Sequence, residues 1–162
     1  MSEIDLENRL YLDLPGGRVT VRLRPDLAPN HVARIKELVR EGYYDGTPFH
    51  RVIRRFMAQG GDPTGKGTGG SGKKLGAEFS DTPFQRGTCG MARTQDPDSA
   101  DSQFFICLAD VPHLNGQYTV WGEVEDGMDT VDTLKKAPIG RSSGLVDEPD
   151  PLVKAVVASD AS

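Results

Sequence analysis

Apolar residues alternate with polar ones at Leu10, Leu12 and Leu14 and again at Val19, Val21 and Leu23, with Pro15-Gly16-Gly17 between the runs. A period of two puts each run on one face of a pleated strand, and the turn residues fold one run back on the other. The chain therefore opens with a β-hairpin. Strand-like segments recur at 49–53, 56–59, 87–92, 104–107, 118–124 and 153–158, the last introduced by Glu148-Pro149-Asp150-Pro151. Eight short strands favour a closed antiparallel barrel, because closure removes the unpaired edges of an open sheet.

Two segments break that period. Val32, Ile35 and Val39 follow helical spacing, Pro29 suits a first-turn position and Gly42 suits the residue just past the end, which predicts a helix of about three turns. Between 127 and 137, Met128, Val131 and Leu134 share a face, with Asp126 and Asp129 early and Lys135 and Lys136 late, charges that complement a helix dipole. The expected fold is mainly β: a closed eight-stranded antiparallel barrel capped by two α-helices, one domain over residues 1–162. A chain of this length buries enough surface to need no disulfide or metal staple. Cys89 and Cys107, too far apart for a CxxC motif, are expected as buried thiols.

Composition narrows the partners. A formal net charge of −5 has the wrong sign for phosphate-driven nucleic-acid binding. The start, Met1-Ser2-Glu3-Ile4-Asp5, is acidic where a secretory signal is basic and then apolar, and no run is long enough to span a membrane. A cytoplasmic protein without heptads, hence a monomer, is expected, with neither nucleic acid nor membrane as partner.

Glycines dominate the loop from 60 to 76, and Gly65-Lys66-Gly67-Thr68-Gly69-Gly70 satisfies GxGxxG. Phosphate cradles of that type need a strand before and a helix directly after, whereas Leu75-Gly76-Ala77-Glu78-Phe79 has no helical start. The loop reads as a surface segment, like the polar stretch 94–102. No serine sits in GxSxG, and His31, His50 and His113 have no metal-ligand spacing. No cofactor and no metal is expected.

Three further pieces remain: Phe49-His50-Arg51-Val52-Ile53 with Phe56-Met57-Ala58-Gln59-Gly60-Gly61-Asp62; Gly90-Met91-Ala92; and Ser102-Gln103-Phe104-Phe105-Ile106-Cys107. In order and spacing they resemble the signature of the cyclophilin-type peptidyl-prolyl cis/trans isomerases over nearly the whole chain. The resemblance implies an active groove on the outside of the barrel. It also implies an enzyme that speeds rotation about Xaa-Pro bonds in peptides and in unfolded or folded client proteins, and so assists folding.

That rotation breaks no covalent bond. Its barrier, about 18–20 kcal/mol, is lost amide resonance. In the twisted transition state the prolyl nitrogen regains a lone pair, so a fixed donor beside it stabilises the transition state above either planar ground state. Arg51 is the candidate donor, because a guanidinium keeps its charge and presents a rigid fork. On the family pattern Phe56, Met57, Phe105 and Leu114 wall a slot for the proline ring. Gln59 and Gln103 hold Arg51 and the substrate backbone, and Ala92 with the Arg93 main chain forms the adjacent binding edge. Strand alternation sends one of Phe104 and Phe105 into the core and the other outward, and the resemblance assigns Phe105 to the groove. His50, one residue from Arg51, faces away and is expected to make a satisfied buried contact. Trp121 reads as a core or rim residue.

The sequence departs from the family in places. His113 stands where the best-known members carry tryptophan and Tyr118 where they carry histidine; both keep a ring near the proline. Losing the indole donor implies weak cyclosporin binding. Arg93 replaces a usual asparagine, which implies an altered preference for the residue before proline. The alternative reading is a proline-recognition or chaperone module with little turnover.

Overall fold

A computed structural model describes residues 5–161; the acidic start noted above, apart from Asp5, lies outside the described residues. The strands are β1 (Arg9–Leu14), β2 (Gly17–Leu23), β3 (Arg51–Ile53), β4 (Met57–Gly60), β5 (Thr88–Met91), β6 (Phe104–Cys107), β7 (Val120–Asp126) and β8 (Lys154–Val157). They form one antiparallel sheet in the order β3-β4-β6-β5-β7-β2-β1-β8. The opening hairpin is as expected: Leu10 pairs with Val21 and Leu12 with Val19, all buried. Register shifts at Thr20/Val21 and Cys89/Gly90 mark bulges, which bend strands and help the sheet curl.

The curl does not close as a regular barrel, which corrects the expectation of full closure. The end strands β3 and β8 share no ladder; the seam is joined by the isolated bridges Pro48↔Pro151 and Arg51↔Leu145. Around them the Phe49 N–H donates to the Asp150 carbonyl at 2.9 Å, Val146 to His50 at 2.9 Å and Val52 to Gly144 at 3.1 Å. Pro48, Pro149 and Pro151 have no N–H to give, so a continuous ladder cannot form there.

Helix α1 (Pro29–Arg40) begins at the proline and buries Val32, Ile35, Leu38 and Val39 in the core shared with β1 and β8. Helix α2 is only Met128–Val131, shorter than the segment 127–137 expected from sequence. Beyond Val131 the amides of Thr133 and Leu134 reach back three residues, not four. Side chains also reach the carbonyls here: the Thr133 hydroxyl donates to Thr130, which its own amide already meets, and Lys136 Nζ donates to Asp132 and Leu134. Among the described residues no helix is long and apolar enough to cross a membrane.

Alternation along the central strands builds two cores, one on each side of the sheet. Ala58, Cys89, Met91, Phe104, Ile106 and Trp121 point into the curl. Met57, Phe105, Cys107 and Val120 point outward, where Phe84, Val111 and Leu114 from the loops cover them. Trp121 is thus core, and the two cysteines, both free and buried, lie in different cores. Gly90 on β5 faces the outer core, and a Cβ there would stand 2.5 Å from Phe105 Cζ and 2.7 Å from Phe84 Cε1. Gly90→Ala is therefore expected to cost about 1–3 kcal/mol of stability through overpacking, measured as a lower urea midpoint with an unchanged m-value.

Candidate active site

Strand register sets the site. Arg51 on β3 pairs with Gln59 on β4, Gln59 with Phe105 on β6, and Phe105 with Gly90 on β5. Directly paired residues share a face, so these four form one row on the outer side of the sheet. Arg51 Nη1 donates to Gln59 Oε1 at 3.3 Å, Gln59 Nε2 to Gln103 Oε1 at 2.9 Å, and Gln103 Nε2 to the Gly69 carbonyl at 3.1 Å. Arg51 Nε donates to the Ser143 carbonyl at 3.1 Å. The guanidinium is thus held at both ends, and Nη2 has no protein partner among the described residues.

Beside it lies a notch of about 150 Å³ lined by Arg51, Phe56, Met57, Gln59, Ala92, Arg93, Phe105, Leu114 and Tyr118. Phe105 forms its floor, stacked on Phe84 with ring centroids 5.6 Å apart and met edge-on by Tyr118 at 5.7 Å. Met57, Phe105 and Leu114 are at once core and wall, because the outer core ends where the notch begins. His113, expected among the binding residues, does not line the notch. It is exposed on the rim, 5.6 Å from the Phe56 ring, because it lies in a short 3-10 turn whose inward residue is Leu114. Arg93 contributes its side chain too: the guanidinium donates to the carbonyls of Gln117, Thr94 and Gln95 and lies 4.6 Å over the Tyr118 ring.

A wider groove of about 460 Å³ continues from Gln59, Ala92 and Arg93 to Gly67–Gly70, Lys74, Thr94, Ser99, Asp101 and Gln103. Its glycine loop offers no phosphate cradle, since carboxylates already hold its amides. Asp62 accepts from the N–H groups of Thr64, Gly67 and Gly69, and Asp101 from those of Ser71 and Gly72. Burial of Asp62 opposes ionisation, but the Gly69, Thr64 and Gly67 donors outweigh it and lower its pKa to about 2. His50 is buried and does not line the notch, and its Nδ1 has no hydrogen-bond partner among the described residues. Burial pushes its imidazole below the ordinary histidine range. Burial also raises the Cys107 thiol to about 12, so it is no nucleophile.

A family model described as "Cyclophilin type peptidyl-prolyl cis-trans isomerase/CLD" matches residues 9–157. The chain belongs to the cyclophilin family. Among its relatives is the "Probable peptidyl-prolyl cis-trans isomerase" of Brucella suis, 53% identical over 171 residues and covering 98% of this chain and 87% of that protein. The crystal structure of the cyclophilin AquaCyp293 from Hirschia baltica has a TM-score of 0.87 and 30% identity, over 99% of this chain and 77% of its own. A Cryptosporidium parvum cyclophilin-type isomerase, determined in the presence of the dipeptide ala-pro, has a TM-score of 0.82 and 32% identity, over 92% of this chain and 98% of its own. Peptidyl-prolyl cis/trans isomerisation is the activity of this cyclophilin.

Sequence reasoning missed two parts of the site. Phe84, which supports Phe105, sits in the loop Asp81-Thr82-Pro83-Phe84 with no periodic pattern around it. The Ser143 carbonyl that holds Arg51 is a backbone group and leaves no trace in residue type. For Asp62, the folded pKa lies below the unfolded one, so its stabilisation is full above the unfolded value and is lost as pH falls toward 2. Asp62→Asn is accordingly expected to lower stability by about 2 kcal/mol at neutral pH. That deficit should shrink steadily below about pH 4 in urea titrations repeated across pH.

Proposed function

We propose that Arg51 is the group that lowers the rotational barrier, acting on a proline seated in the notch over Phe105. The supporting observation is the double anchoring of its guanidinium by Gln59 and Ser143 at the mouth of that notch. A donor fixed before the substrate arrives needs no reorganisation when the prolyl nitrogen turns pyramidal, so it favours the twisted amide over both planar forms. The ring is gripped by Phe56, Met57, Phe105, Leu114 and Tyr118 while the preceding carbonyl swings. The chain on one side of the proline runs along the edge at Ala92 and Arg93, and Gln103 steadies both that edge and Gln59. No proton is transferred.

Proline-containing peptides are the substrate class in this reading, in keeping with the ala-pro dipeptide of the Cryptosporidium parvum structure. The groove is open at its ends, so proline within a longer chain fits as well as a short peptide, and client proteins in a folding role follow from that. Recognition alone would not require a donor held at both ends, so turnover is the better reading. Two unpaired buried thiols suit a reducing cytoplasm.

Arg51→Ala is expected to raise the barrier by about 2–4 kcal/mol, as for removal of one preorganised donor, measured by exchange spectroscopy on an Ala-Pro peptide. Full activity in that variant would remove Arg51 from the role. Cyclosporin should inhibit weakly, because His113 is a rim residue without an indole N–H. His113→Trp should tighten inhibition about three- to tenfold, the worth of one added hydrogen bond, in a titration of the inhibitor against both proteins.

A further inference from the structure

Away from the groove, this acidic chain pairs its arginines: Arg18 with Asp13, Arg86 with Asp132 and Arg141 with Asp147 are typical. Among the described residues the arginines without a carboxylate partner are Arg51, Arg54, Arg55 and Arg93; Arg51 and Arg93 line the notch, and Arg54 and Arg55 directly precede Phe56, which also lines it. Arg51 and Arg93 are engaged by carbonyls and, for Arg51, by Gln59. Arg54 and Arg55 have no such engagement. They are exposed, make no side-chain hydrogen bond among the described residues, and form the turn joining β3, which carries Arg51, to β4, which Phe56 precedes.

Two features set that turn apart. Arg55 has φ 59°, the only positive φ outside glycine among the described residues. Backbone preference there favours glycine, so local stability does not account for an arginine. The charge balance also differs along the groove. Lys74 shares the wide glycine-lined end with Asp101, whereas no acidic residue among the described ones lines the notch at the Phe56 end. Because β4 runs from the turn to Gln59, where the wide groove starts, Arg54 and Arg55 adjoin the Phe56 end of the notch, away from that groove.

We propose that the Arg54–Arg55 turn selects substrates carrying an acidic side chain next to the proline, on the side away from the glycine-lined groove. The proposal rests on the notch being the proline site. Exposed charges are solvated and screened, so the effect is a preference and depends on salt.

The test uses the full chain and proline peptides matched except for Glu, Gln or Lys at the position before or after proline, with kcat/KM measured at low and high ionic strength. The expected result is a Glu-over-Gln preference of about two- to fivefold at one position only, the size of exposed charge pairs, with Lys disfavoured and the preference shrinking in salt. In the variant carrying Arg54→Gln and Arg55→Gly the Glu-to-Gln ratio should fall to about one. Glycine suits the positive φ, so the variant retains the turn. Equal turnover of Glu and Gln peptides by the unaltered protein, or a ratio unchanged in the variant, would overturn the proposal. Undiminished turnover of the Gln peptide by Arg51→Ala would instead overturn the placement of the notch itself.

Discussion

Antiparallel register aligns Arg51, Gln59, Phe105 and Gly90 in one row across four strands, and the rest of the site depends on that alignment. A one-residue slip of β4 would turn Gln59 into the barrel core and put Ala58 opposite Arg51. Register is held by the inner core, where Ala58, Ile106 and Cys89 interlock on the opposite face of the same strands. The outer face can therefore carry a polar donor and an open notch while the inner face holds the strands in place. Gly90 completes the row by leaving room for the rings of Phe105 and Phe84.

Much of this is legible in the residues because strands obey a period of two. The adjacent Phe104 and Phe105 had to separate into different cores, and they do. The tract Phe104-Phe105-Ile106-Cys107 is apolar on both faces, the mark of a strand covered on both sides. What residue type does not encode is the backbone's share. The carbonyls of Ser143 and Gly69 end the hydrogen-bond chain through Arg51, yet any residue would supply a carbonyl. Equally hidden was the short α2, where threonine and lysine side chains take the carbonyls that further helical turns would have used.

The glycine loop illustrates how one motif can be read two ways. Amides in a Gly-rich turn converge on negative charge, and here the charge belongs to the protein: Asp62 and Asp101 fill the positions an anionic ligand would take. The loop becomes a firm wall for the wide groove. Gly69 and Gly70 permit this, since a Cβ at either would collide with the carboxylates.

The incomplete seam between the two end strands of the sheet has a meaning for any extended chain that reaches it. An unpaired sheet margin is a template onto which a passing strand can add itself. Here the margin is interrupted by Pro48 on one side and by Pro149 and Pro151 on the other, with irregular backbone drawn across the gap. An extended segment arriving at the molecule finds few free amides to dock on at that margin, so the seam is guarded against strand addition and the aggregate it would start.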